Sequence, residues 1–111
     1  MAQERFRKLE AMLAQKPDDA FLRYALALEH KAEGRLTEAA EALESLRQLH
    51  PQYLPTYYQL GNLRAALGQL EQAIAIFQQG ETLAQQQGEQ KTCHELEAAR
   101  EDAEDRLDEA D

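Results

Sequence analysis

An all-α domain of stacked antiparallel helix pairs is what this sequence predicts, and three observations carry that expectation. The first is an internal repeat. Pro17 and Pro51 lie 34 residues apart, as do Gly34 and Gly68, and the same offset pairs Tyr24 with Tyr58, Leu26 with Leu60, Ala32 with Ala66, Leu36 with Leu70, Ala39 with Ala73 and Leu49 with Leu83. The second is periodicity: apolar residues recur at helical spacing, and no stretch alternates with period two long enough to argue a strand. The third is punctuation. The chain of 111 residues has only three prolines and five glycines, and most of them fall where one helical pattern stops and the next begins. A repeat of this length points to helix pairs that stack, because one pair alone cannot bury its apolar face.

The elements follow in order. Residues 3–16, moved forward by 34, overlay the second helix of the first repeat, Leu9 on Leu43, Met12 on Leu46 and Glu10 on Glu44; residues 1–16 therefore form half a repeat. Repeat one spans 18–51. Its first helix, 19–31, carries Leu22, Leu26 and His30 at i, i+4 and i+8 with Tyr24 and Leu28 beside them. Gly34 breaks it, Thr37 is the expected N-cap of the second helix, and that helix runs to about residue 49 before Pro51 stops it. Repeat two spans 52–88. Pro55 opens a helix containing Leu60, Leu63 and Leu67, Gly68 breaks it, and a second helix covers about 71–84. After Gln85-Gln86-Gln87-Gly88 comes a capping helix over 89–111, with a thin apolar stripe of Cys93, Leu96, Ala99 or Arg100, Ala103 and Leu107. That stripe is expected to dock on repeat two. Asp108, Glu109 and Asp111 sit at the negative end of the helix dipole, so fraying is expected after about Leu107. Ala27, Ala39, Gly61, Ala73 and Gly80 fall where helices must approach closely. Gly80 costs about 1 kcal/mol of helix propensity against Ala, which calls for such a contact.

Composition narrows the function. Twenty-one acids against twelve bases give a net charge of −9, which excludes the basic face a nucleic-acid binder needs. No apolar run is long enough for a membrane span. The first eight residues carry charges without a following apolar stretch, unlike a secretory signal. Cys93 is the single cysteine, so no internal disulfide can form, and the chain reads as a reduced, cytoplasmic protein. Charge is also uneven along the chain: residues 1–16 hold four bases against two acids, and residues 89–111 hold ten acids against Lys91, Arg100 and Arg106. A solvated end helix accounts for this, and so does an acidic end that meets the basic end of another copy.

Residues able to carry chemistry are few. His30, His50 and His94 are the only imidazoles. His30 is expected as a core or boundary histidine, and His50 sits at a helix end where a cation suits the dipole. Cys93-His94-Glu95 lacks the second histidine of a zinc-protease helix, Ala98 standing at that place, and neighbours on a helix point about 100° apart. The expectation is no catalytic residue, no metal and no cofactor.

At this level of detail the chain resembles a tetratricopeptide repeat protein. The resemblance rests on Tyr57-x2-Leu60-Gly61-x2-Arg64, Gly68 and Ala73-x3-Phe77 in repeat two, and on Arg23-x2-Leu26-Ala27-x2-His30, Gly34, Ala39-x3-Leu43 and Pro51 in repeat one. Arg23 in place of an aromatic and Gln85 in place of a proline depart from the family pattern. Blocks such as Phe-Leu-Arg-Tyr-Ala-Leu are similar to those of small stand-alone bacterial members. The resemblance implies a helical superhelix with two full antiparallel pairs, a half-repeat helix before them and a capping helix after. It also implies a non-enzymatic module that binds a peptide or helix of a protein partner in a concave groove lined by the first helix of each pair. The positions so implied are Phe21, Tyr24, Ala25, Leu28 and Lys31, then Tyr58, Gln59, Asn62 and Ala65, with Thr92, Leu96 and Ala99 extending them. Chaperone-binding relatives clamp a carboxylate with Lys and Asn where this chain has Tyr24 and Leu28, so that clamp is absent and the surface is mainly apolar and aromatic. The alternative is a structural homodimer or larger homo-oligomer, in which groove or end helices pair with a second copy.

Overall fold

The computed structural model describes residues 2–110, and six helices account for nearly all of them: α1 (Ala2–Gln15), α2 (Ala20–Ala32), α3 (Leu36–Leu49), α4 (Pro55–Ala66), α5 (Leu70–Gln87) and α6 (Gln90–Ala110). No strand occurs among the described residues. The chain divides into two compact units, one ending at Tyr53 and the other starting at Leu54. In the first, α2 packs on both α1 and α3; in the second, α5 packs on α4 and more extensively on α6, which also touches α4.

The turns explain where the helices stop. Gly34, Gly68 and Gly88 take positive φ of 78°, 80° and 73°. At each, the residue after the glycine donates its N–H five residues back: Arg35 to the His30 carbonyl at 2.9 Å, Gln69 to Arg64 at 2.8 Å, and Glu89 to Ala84 at 2.8 Å. This is the Schellman closure, which satisfies carbonyls that the helix end would leave orphaned. The closure is so tight that Arg35 both completes α2 and caps α3. Thr37 is consequently the second residue of α3 and not its N-cap, a correction to the sequence reading. Asp19 does cap α2, its carboxylate accepting from the Leu22 N–H at 2.9 Å.

Two helices are longer than the sequence suggested. Helix α5 continues through Gln85, Gln86 and Gln87, good helix formers, until Gly88 turns the chain. Helix α6 continues through Ala110 instead of fraying after Leu107. Leu107 and Ala110 lie three residues apart on one face, and both line a hollow with residues 68–72 at the start of α5. Leu107 is half-buried on that face, and the acidic end of α6 lies near the positive end of the α5 dipole. Asp111 lies outside the described residues.

The core of the first unit is built on Leu22, Ala27, Ala39, Ala40, Leu43 and Leu46, and that of the second on Tyr57, Leu60, Leu63, Phe77, Ala84, Leu96 and Ala103. The two helical glycines mark the closest approaches in the second unit. A Cβ at Gly61 would stand 2.2 Å from the Phe77 ring, and one at Gly80 would stand 2.7 Å from Tyr57 Cβ and 3.0 Å from Leu96 Cδ1. Two ion pairs tie the end helices down. Arg5 of α1 reaches the buried Glu29 at 3.0 Å, and Arg100 of α6 grips Glu81 with two nitrogens, at 2.6 and 3.2 Å. The paired geometry of the second, half-buried contact makes it the stronger of the two.

Candidate binding surfaces on the first helix of each pair

Helix α2 places Phe21, Tyr24, Leu28 and Lys31 at i, i+3, i+7 and i+10, one stripe along its length. Phe21 is 64% exposed, a large apolar ring held in water. Tyr24 and Leu28 are half-buried and Lys31 is exposed. Tyr24 meets Tyr53 edge to face, with ring centroids 5.8 Å apart and planes at 65°, the arrangement that aromatic quadrupoles favour. Tyr53 is a member of this cluster that sequence reasoning missed. It sits in the loop before α4, where no periodicity points to it. Burial raises its phenol pKa above the ordinary value, and the Tyr24 phenol and the Asp19 carboxylate raise it further. The imidazole of His50, at the end of α3, donates from Nε2 to the Asp18 carbonyl at 2.6 Å and holds the start of α2 in place.

Helix α4 presents Tyr58, 37% exposed, with Gln59 and Asn62 half-buried near it. Leu96 does not join them. It is completely buried, its methyls packed over Gly80 on α5, and it offers no surface to a ligand. The sequence reading gave Leu96 two roles, groove lining and docked stripe, and the helix packing leaves only the second. Thr92 and Ala99 are half-buried on the same helix.

Three polar residues of the first helices have local work, Arg23 among them, where the sequence departs from the family pattern. Arg23 donates from Nε to the Pro17 carbonyl at 2.7 Å, bracing the turn before α2. His30 and Arg64, 34 residues apart, each bond the residue five further on, which in both cases caps the next helix. Arg35 Nε donates to His30 Nδ1 at 3.0 Å, and Arg64 Nη1 donates to Gln69 Oε1 at 3.0 Å. His30 also meets Phe6 of α1 edge to face at 4.9 Å, and the Arg35 guanidinium lies 5.2 Å from the Phe6 centroid. His30 is therefore a boundary residue joining three helices.

Cys93 is buried, and its thiol points to the Glu81 carbonyl at 3.7 Å. With His94 it lines a hollow whose other walls are Ala84, Gln85, Gly88 and Gln90, none of them a metal ligand of the usual kind. Among the described residues no group of three or more His, Cys, Asp or Glu side chains is placed to hold an ion. Among the same residues no helix is long and apolar enough to cross a membrane.

Helix pairs that recur at a 34-residue offset, closed by the same glycine turn and packed through small residues at fixed repeat positions, define an α-helical repeat protein of the 34-residue class. The family model for the tetratricopeptide repeat matches residues 30–99, and the chain belongs to that family. A tetratricopeptide-repeat-containing protein of Pseudomonas aeruginosa is 33% identical over 88 residues, which is 79% of this chain and 84% of that protein. The crystal structure of a tetratricopeptide repeat domain protein from Salinibacter ruber superposes with a TM-score of 0.75 at 40% identity, covering 78% of this chain and 97% of that one. PcrH, solved in complex with the chaperone-binding region of PopD, shares the fold at a TM-score of 0.88 with 16% identity, covering 96% of this chain and 80% of its own. The family is in general one of protein–protein interaction modules and non-catalytic scaffolds.

Proposed function

We propose that this protein is a non-enzymatic cytoplasmic module that captures a peptide or helical segment of a protein partner on an aromatic helix face, that of α2 in the first unit or that of α4 in the second. The single observation behind this reading is the exposed Phe21 ring, set in line with the Tyr24–Tyr53 pair on one stripe of α2. A lone exposed leucine needs no explanation, but a phenylalanine in water beside two half-buried tyrosines is a ready anchor site. Tyr58 stands at the same repeat position as Tyr24 and gives the second unit a corresponding anchor. Such surfaces suit apolar side chains of a partner, with Asn62, one turn along α4 from Tyr58, to meet its backbone and polar groups. PcrH supports the reading as a case of this fold holding a segment of another protein.

The test is selection of peptides from a random displayed library on the immobilised full chain, followed by affinity measurement on Phe21→Ala and Tyr58→Ala. Aromatic anchors cost at least about 2 kcal/mol on truncation, roughly thirty-fold in affinity. Both variants should keep the wild-type circular dichroism. Selected peptides that bind both variants as well as wild type would overturn this assignment.

A further inference from the structure

The 34-residue repeat makes burial comparable from helix to helix, and α1 fails the comparison. Leu46 and Gly80, at the repeat position of Met12, are buried, and so are Leu43 and Phe77 at the position of Leu9. Met12 is 51% exposed and Leu9 only half-buried. Lys8 and Lys16 lie one turn before and one turn after Met12, at i−4 and i+4, both exposed and neither in an ion pair among the described residues. The result is an apolar side chain between two cations on one helix stripe.

Helix α6 carries the complement. Glu97, Glu101, Asp105 and Glu109 follow one another at i, i+4, i+8 and i+12, on the face opposite the docked Leu96 and Ala103. All four are exposed and none is in an ion pair among the described residues. Like charges at this spacing work against the helix that carries them, so the row gains from a cationic neighbour. Between the first two acids lies a shallow dent of about 150 Å³ with Ala98 as its small residue and His94, Glu97 and Glu101 around it. A flexible thioether fits such a dent without a fixed shape being required.

We propose that the α1 stripe of one copy docks on the acidic face of α6 of a second copy, with Met12 seated over Ala98 and with Lys8 and Lys16 paired to the flanking carboxylates. The lysines stand eight residues apart, about 12 Å along α1, and Glu97 and Glu101 four apart, about 6 Å along α6, a difference that two long, flexible lysine side chains close by converging on the pair. Charge decides the occupant. A second α1 would bring lysine against lysine, whereas α6 brings a carboxylate to each. The contact uses neither Phe21 nor Tyr58 and stands apart from partner binding.

The experiment is sedimentation equilibrium of the full chain over a concentration series, at low and high salt. Two variants are compared with wild type, one carrying Lys8→Glu and Lys16→Glu, the other Glu97→Lys and Glu101→Lys, together with the chain that combines all four. All four side chains are exposed, and circular dichroism checks that each variant is folded. Wild type should associate, and salt should weaken it. Each double variant alone should associate at least tenfold more weakly, an equimolar mixture of the two should regain association, and the fourfold variant should regain it by charge exchange. A wild type that is monomeric at millimolar concentration overturns the proposal. So does association that both double variants retain, or a folded fourfold variant that stays as weak as its parents.

Discussion

Replacing Gly80 by Ala sets two effects of opposite sign against each other. On propensity alone the change should stabilise α5 by about 1 kcal/mol, since glycine in a helix interior is that much worse than alanine. Packing opposes it. The new methyl would stand 2.7 Å from Tyr57 Cβ and 3.0 and 3.1 Å from the two Leu96 methyls, where carbon atoms prefer roughly 3.5–4.0 Å. Leu96 could yield by rotating, but Tyr57 Cβ is fixed to the α4 backbone, so α4 and α5 must separate by most of an ångström. Overpacking of this kind costs about 1–3 kcal/mol and occasionally more, and with α6 displaced as well the upper end applies. The expected net loss is about 2 kcal/mol, a drop of roughly 10 °C in Tm for a chain of this size. The assay is thermal and urea unfolding followed at 222 nm, with Ala75→Gly, on an exposed face of the same helix, as the propensity control. That control should cost about 1 kcal/mol. A Gly80→Ala protein that melts at or above the wild-type temperature would refute the packing argument.

Two further outcomes follow from single side chains. Thr56 is fully buried and its hydroxyl has no hydrogen-bond partner among the described residues, so Thr56→Val, which keeps the shape and removes the orphaned group, should raise stability by about 1 kcal/mol in urea unfolding. Tyr53, with its pKa raised above the ordinary value of 10.0, resists ionisation in the folded protein more than in the unfolded chain. Above pH 10 the unfolded state therefore binds fewer protons, and stability contributed by the neutral phenol is lost as pH rises. Tyr53→Phe should flatten that alkaline decline, and an unchanged pH–stability curve would remove Tyr53 as its source.

What the sequence made legible was whatever repeats or punctuates. Gly34, Gly68 and Gly88 mark the helix ends because only a residue without a Cβ takes positive φ freely, and Gly80 declares a close contact because nothing else justifies a glycine in mid-helix. The Cys93–Leu96–Ala103 stripe was readable as a docked face for the same reason. Contacts between residues far apart in sequence left no such trace. Glu29 looks like any charged helix residue until Arg5 is found against it, and Glu81 with Arg100 is equally silent. Tyr53 escaped notice because loops have no period. Thr37 misled because a residue that often caps helices stood two places past the true cap, and a turn that closes one helix while opening the next leaves no room for a separate capping residue.

The same connectivity has a kinetic consequence. Within each unit the main packing joins helices that are consecutive in the chain, across turns of only two to four residues. The loops to be closed are short, so little chain entropy is lost before a contact forms, and folding of such a unit is expected to be fast. It also need not wait for the far end of the molecule. As the chain leaves the ribosome, α2 can settle on α1 and α3 on α2 in the order of synthesis, and the first unit can be native while the second is still being made.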